Sequence, residues 1–240
     1  CRGGGGGIGV RALGGKPAGC AVPAVDADAR GAPVALWGRR RAQGTAMDFF
    51  LEHLTPGMML TCRVTRLECF GAFVDIGCGL PSLIPIDQIS VSRIAHPRDR
   101  FRPGDDIRAV VRAVEPGGRI CLTHKELLGT WEENAALFRP GETVAGIIRS
   151  VEEYGVFVEL APNLTGLADQ TEGLQEDDRV SVYLKAILPD RMKVKLTILQ
   201  TLPPQSAPDP LPYFITAGHL SRWVYSPPER RGEVIETVFD

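Results

Sequence analysis

Residues 70–77, FGAFVDIG, place two aromatic side chains, Phe70 and Phe73, on either side of Gly71 at the head of an apolar run. Successive side chains of a strand alternate between faces, so Val74 and Ile76 share one face while Phe73 and Asp75 share the other. With Val74 and Ile76 turned to a core, Phe73 points outward and Phe70 stands beside it at the glycine. Outward aromatics can stack unpaired nucleobases, each stacked base contributing roughly 1–3 kcal/mol whatever its identity. The bland alternative is that the two rings plug a barrel end or meet a neighbouring unit. The stretch HPRDRFRP (96–103) supplies Arg98, Arg100 and Arg102 around Phe101, with His96 in front. Basic residues interleaved with an aromatic are what a phosphate backbone attracts; a solvated surface loop would read the same way.

Other chemistry finds little support. The four histidines (53, 96, 124 and 219) are dispersed, and none neighbours a nucleophile in a catalytic pattern. Six cysteines (1, 20, 62, 69, 78 and 121) form no CxxC pair, so they read as reduced thiols of a cytoplasmic protein rather than a disulfide framework or zinc site. Gly4, Gly6 and Gly9 formally satisfy GxGxxG, but no strand precedes them as a dinucleotide site requires. No apolar run reaches the roughly 20 residues of a membrane span, and no signal pattern opens the chain. No enzyme, metal, cofactor, membrane or small-molecule substrate is expected.

The elements that must position the aromatics follow from a repeat. PGMMLTCRVTRLECFGAFVDI (56–76) overlies PGETVAGIIRSVEEYGVFVEL (140–160) at a constant offset of 84, with identity at six of 21 positions. Phe70 falls on Tyr154 and Phe73 on Phe157. The offset extends backwards, where Met47, Leu51 and Leu54 fall on Trp131, Ala135 and Phe138. The i, i+4, i+7 spacing predicts a short amphipathic helix ahead of each unit. Strands are predicted at 58–67, 71–76, 81–86, 105–115 and 119–123, and again at 143–151, 155–160, 164–168, 178–187 and 192–198. Alternating residues and turn signals such as PGG at 116–118 mark them. Five short strands with a long middle connection match a closed Greek-key barrel of the OB type. The fold class is therefore all-β with linker helices, built of tandem five-stranded OB-fold barrels.

The stretches PGMMLTCRV, FGAFVDIG, SLIPIDQIS, PGDDIRAVVRAVE and RICLTHKEL resemble, in order and spacing, the RNA-binding domain named for bacterial ribosomal protein S1. The resemblance runs from 56 to about 198, along the whole first unit and through strand two of the second. It implies a surface for single-stranded RNA in which Phe70 and Phe73 fill the family's aromatic slots, Glu115 its acidic position and Arg119 its arginine. Pro85 replaces the family's histidine. In the second unit Tyr154 and Phe157 fill the aromatic slots, Asp169 replaces the histidine, Leu188 replaces the acid, and Lys193 takes the arginine's place if one residue is inserted in the preceding turn. The implied partners are single-stranded RNA, mRNA in particular, and the 30S ribosomal subunit, in translation. The same barrel can serve as a protein–protein module without RNA affinity, and the lost histidine and acidic second unit keep that alternative open.

Charge separates the units. Residues 56–128 hold 10 Lys and Arg against 8 Asp and Glu, a net of +2, whereas 140–200 hold 6 against 10, a net of −4. The first unit is thus the better surface for phosphate, and the second suits a spacer or protein-contact role. Four regions are expected: 1–45, a degenerate or truncated remnant of an upstream unit, poorly ordered, with Arg39–Arg41 as exposed linker charge; 46–128, the first unit with its leading helix; 129–200, the second; and 201–240, a Pro-rich linker with a tail that packs on the second barrel.

Overall fold

The computed structural model describes residues 53–80, 82–115, 118–204 and 210–240. The segment 1–45, its Arg39–Arg41 cluster and most of the helix expected through Met47 and Leu51 lie outside the described residues.

The first unit consists of β1 (Met59–Glu68), β2 (Gly71–Asp75), β3 (Ser82–Pro85), β4 (Asp106–Val114) and β5 (Ile120–Thr123). They close into a barrel in the order β1-β2-β3-β5-β4, with β1 pairing β4 and with β3 and β5 parallel. Every second residue turns inward, so Val64, Val74, Ile84, Val111, Ile120 and Leu122 form the core, all nearly fully buried. Burial of such side chains stabilises by about 1.5–3 kcal/mol each, which is what the strict alternation encodes. Bulges at Val64/Arg66 in β1 and Val111/Ala113 in β4 bend the strands enough to close so small a barrel.

A five-residue helix, α1 (Trp131–Ala135), leads into the second unit. Thr130 caps it: its hydroxyl accepts from Glu133 N at 3.2 Å while the Glu133 carboxylate accepts from Thr130 N at 2.7 Å. Trp131, Ala135 and Phe138 are buried against the second barrel. That barrel comprises β6 (Thr143–Glu152), β7 (Gly155–Ala161), β8 (Leu164–Ala168), β9 (Arg179–Leu188) and β10 (Lys193–Thr201), in the same closed order and with a β6 bulge at the equivalent place, Ile148/Ser150. The β8–β9 connection spans 169–178 where the β3–β4 connection spans 86–105.

The two barrels are joined by more than a linker. Asn163, fully buried, donates from Nδ2 to the Lys125 and Gly129 carbonyls, both at 2.8 Å, and its Oδ1 accepts from Val91 N at 2.9 Å. The tail packs on the second barrel as expected and reaches the first as well. Its hairpin, β11 (Arg222–Val224) with β12 (Glu236–Val238), is too small to bury a core of its own. Trp223 and Tyr225 pack into the second barrel's core, while Phe239 packs with Val110 and Leu127 of the first unit.

Candidate nucleic-acid interface

Gly71 opens β2 opposite Pro85, and a Cβ on it would lie 2.5 Å from the Ile84 carbonyl oxygen. Only glycine lets β2 approach β3 so closely at the turn, and this turn sets the two rings. Phe70 is 53% exposed and Phe73 half-buried; the rings meet edge to face at 6.0 Å and 87°, the arrangement aromatic quadrupoles favour. An exposed ring held by a second ring offers a free face to a base.

Register places one row of side chains across the outside of the barrel: Arg66, Phe73, Leu83, Cys121 and Ala113. The Arg66 guanidinium lies 4.7 Å from the Phe73 ring centre, and its Nε is 3.1 Å from Glu68. Strict alternation from Val64 would turn Arg66 inward; the bulge inserts Thr65 and turns it out. Glu115 and Arg119 sit exposed at the β4–β5 hairpin, 3.7 Å apart, and the Cys121 thiol donates to Glu115 at 3.3 Å. Arg119 is two residues before Cys121 and so flanks the row. Next to Phe73 a cleft opens between Thr65, Asp75, Leu80 and Ser82. Burial and the neighbouring Glu115 push the Cys121 thiol up, so it stays protonated.

The basic loop departs from expectation at Arg100 and Phe101. Arg98 and Arg102 are exposed, but Arg100 is buried, donating from Nη2 to the Glu159 carboxylate of the second barrel at 2.7 Å. Glu159 also accepts from Arg149 Nε at 2.7 Å, and Arg149 Nη1 lies 3.6 Å from Asp99 and 2.9 Å from Asp177. Burial is the largest single effect and lowers the Arg149 pKa, but Glu159, Asp99 and Asp177 together outweigh it and raise it. Phe101 is fully buried in the first core, edge-on to His124 at 5.0 Å. These residues face inward because the loop is an inter-barrel contact, and a guanidinium leaves water only where carboxylates receive it. His96 serves the backbone: its Nδ1 accepts from Arg98 N at 3.1 Å.

The second barrel repeats the aromatic pair, with Tyr154 70% exposed and edge-on to half-buried Phe157 at 6.0 Å and 86°. Its row reads Ser150, Phe157, Leu167, Lys195 and Ala186. The cation has moved: Ser150 replaces Arg66, and Lys195 stands where Cys121 does. The sequence alone does not mark Lys195, since the register that selects it exists only once β8 and β10 pair. Lys193 is exposed two residues earlier, at the start of β10, and Asp169 is held by Lys185 at 2.9 Å. Among the described residues no group of three His, Cys, Asp or Glu could hold a metal ion, and no helix is long and apolar enough to cross a membrane.

The class defined by this fold and surface is a tandem pair of OB-type barrels, each carrying an exposed aromatic pair and a cation on its outer face. Residues 54–125, which contain the first barrel, match the family model described as S1 RNA binding domain. The chain is similar to small ribosomal subunit protein bS1 of Chlamydia muridarum, 30% identical over 179 residues covering 69% of this chain and 31% of that protein. It is also similar to bS1 of Staphylococcus epidermidis, 30% identical over 169 residues covering 65% and 43%. The chain thus spans less than half the length of these curated relatives. Among solved structures, that of GSP13 from Bacillus subtilis is 28% identical with a TM-score of 0.27, covering 28% of this chain and 53% of that one.

Proposed function

We propose that this chain binds single-stranded RNA, with mRNA at the small ribosomal subunit as its setting, in the cytoplasm. The observation that carries the reading is the Phe70–Phe73 pair with Arg66 stacked on Phe73, on the outer face of a barrel that matches the S1 RNA binding domain model. Bases stack on the exposed rings, and Arg66 and Arg119 meet phosphates. Affinity therefore depends on salt and carries little sequence preference. The similarity to bS1 proteins supports the ribosomal setting.

The test is fluorescence anisotropy of a labelled 12-nucleotide oligouridine at two salt concentrations. Phe70→Ala/Phe73→Ala is expected to bind at least about tenfold more weakly, from one or more lost stacking contacts. Arg119→Ala is expected to lower the salt slope by about 0.7. A folded double variant that binds as tightly as the parent would refute this face. No RNA affinity in the parent, with co-sedimentation on 30S subunits intact, would favour the protein-binding module instead.

A further inference from the structure

The first barrel's basic loop is anchored on the second barrel through Asp99 and Arg100. Glu159, which receives Arg100, shares the outer face of β7 with Phe157 and lies two residues further along, about 7 Å away. Arg149 comes from the bulge of β6 beside it. The equivalent positions in the first barrel, Thr65 and Asp75, line the open cleft next to Phe73. In the second barrel Asp99 and Arg100 of the first barrel occupy that ground. Three of the interlocked side chains, Arg100, Arg149 and Glu159, are only 4%, 6% and 7% exposed. With Asn163 bridging the units, the loop's place on this face is fixed.

Its two exposed guanidiniums flank the Asp99–Arg100 anchor, and Arg98 stands in a 3-10 turn, Pro97–Asp99, that His96 and Asp99 close by reciprocal capping. The second barrel is acidic overall, and its row's cation, Lys195, lies across Leu167 from Phe157 rather than beside it, where Ser150 replaces Arg66, so further cations would favour phosphate on this face. We propose that the junction is one composite RNA site: Arg98 and Arg102 of the first barrel hold the phosphates of a strand whose bases stack on Tyr154 and Phe157 of the second. This rests on the RNA-binding reading above and extends it. The second barrel is then a binding unit completed by its neighbour, not a spacer, and a single strand can engage both barrels with no flexible linker to order.

The experiment isolates the second face. In full-length Phe70→Ala/Arg66→Ala, with the first platform disabled, oligouridine binding is measured by anisotropy with and without Arg98→Ala/Arg102→Ala and Tyr154→Ala. Phe70, Arg66, Arg98, Arg102 and Tyr154 are all exposed, so folding is spared. Removing the two arginines is expected to weaken the remaining binding roughly tenfold and to lower the salt slope by about 1.4, two phosphate contacts at 0.7 each. With Tyr154→Ala also present, the arginine pair is expected to cost no further affinity. An unchanged affinity and slope on removing the arginines would overturn the composite site, as would an equal arginine effect with and without Tyr154. A parent that binds no RNA would sink the underlying reading as well, a result distinct from both.

Discussion

The Arg66 guanidinium lies 4.7 Å from the centre of the Phe73 ring, across the β1–β2 pairing that the bulge at Thr65 shifts by one residue. A planar cation over a ring face is attracted by the ring's quadrupole and keeps its remaining N–H groups free for phosphate. The Arg66 side chain is 65% exposed, so little folding energy depends on it. Arg66→Ala is expected to weaken oligouridine binding about fivefold while leaving the urea midpoint nearly unchanged, a shift of about 0.5 kcal/mol or less. Arg66→Lys is expected to recover only part of the loss, since an ammonium restores charge but not the stacked plane. A large stability loss for Arg66→Ala, with binding intact, would make the contact structural.

What could be read from the sequence was what is local in it. Strand limits, the two aromatic pairs and the turn at Gly71 all depend on alternation and near neighbours, and they fall within a few residues of their expected places. What could not be read depends on register or on distant partners. Arg66 faces outward only because of a bulge, and Lys195 enters the row only through parallel pairing with β8. Arg100 looked like a surface charge because its carboxylate partner is 59 residues away in another barrel. The tail's division between barrels likewise rests on contacts such as Phe214 N to the Leu127 carbonyl at 2.9 Å, which no spacing foretells.

His124 ties the tail to the first unit and makes that tie sensitive to pH. It is fully buried; its Nδ1–H donates to the Ile89 carbonyl at 2.9 Å. Nε2 is therefore the acceptor of the neutral ring, taking the Tyr213 hydroxyl at 3.2 Å. Tyr213 in turn accepts from Arg108 N at 3.3 Å. Burial first, and nearby Arg100 further, depress the imidazole to about 4, against a Ile89 hydrogen bond that raises it. Because the folded value lies below the unfolded 6.5, the neutral ring's contribution is complete above pH 6.5. It is lost as pH falls toward 4, up to about 3 kcal/mol. Urea midpoints are expected to drop between pH 7 and 5 in the parent. In His124→Gln, less stable at pH 7, they should be flatter over the same interval. Parallel curves would assign the pH dependence to other groups.

Gly57 and Gly141 open their repeats at equivalent positions, both left-handed at φ 84° and 93°, but only one is covered. A Cβ on Gly57 would lie 1.9 Å from the Leu220 carbonyl oxygen, and Leu220 N donates to the Gly57 carbonyl at 2.9 Å; a Cβ on Gly141 would meet nothing within 4 Å. Gly141→Ala therefore bears only the left-handed backbone penalty, about 1–2 kcal/mol. Gly57→Ala bears the same penalty and must also push the tail away, losing the apolar contacts of Leu220 and Phe239 with the first unit. Its cost is expected to exceed that of Gly141→Ala by at least about 2 kcal/mol in urea denaturation. Limited proteolysis is expected to cut within 213–240 in Gly57→Ala well before it does so in Gly141→Ala. Equal costs and equal cleavage would mean that the tail is held by the second barrel alone.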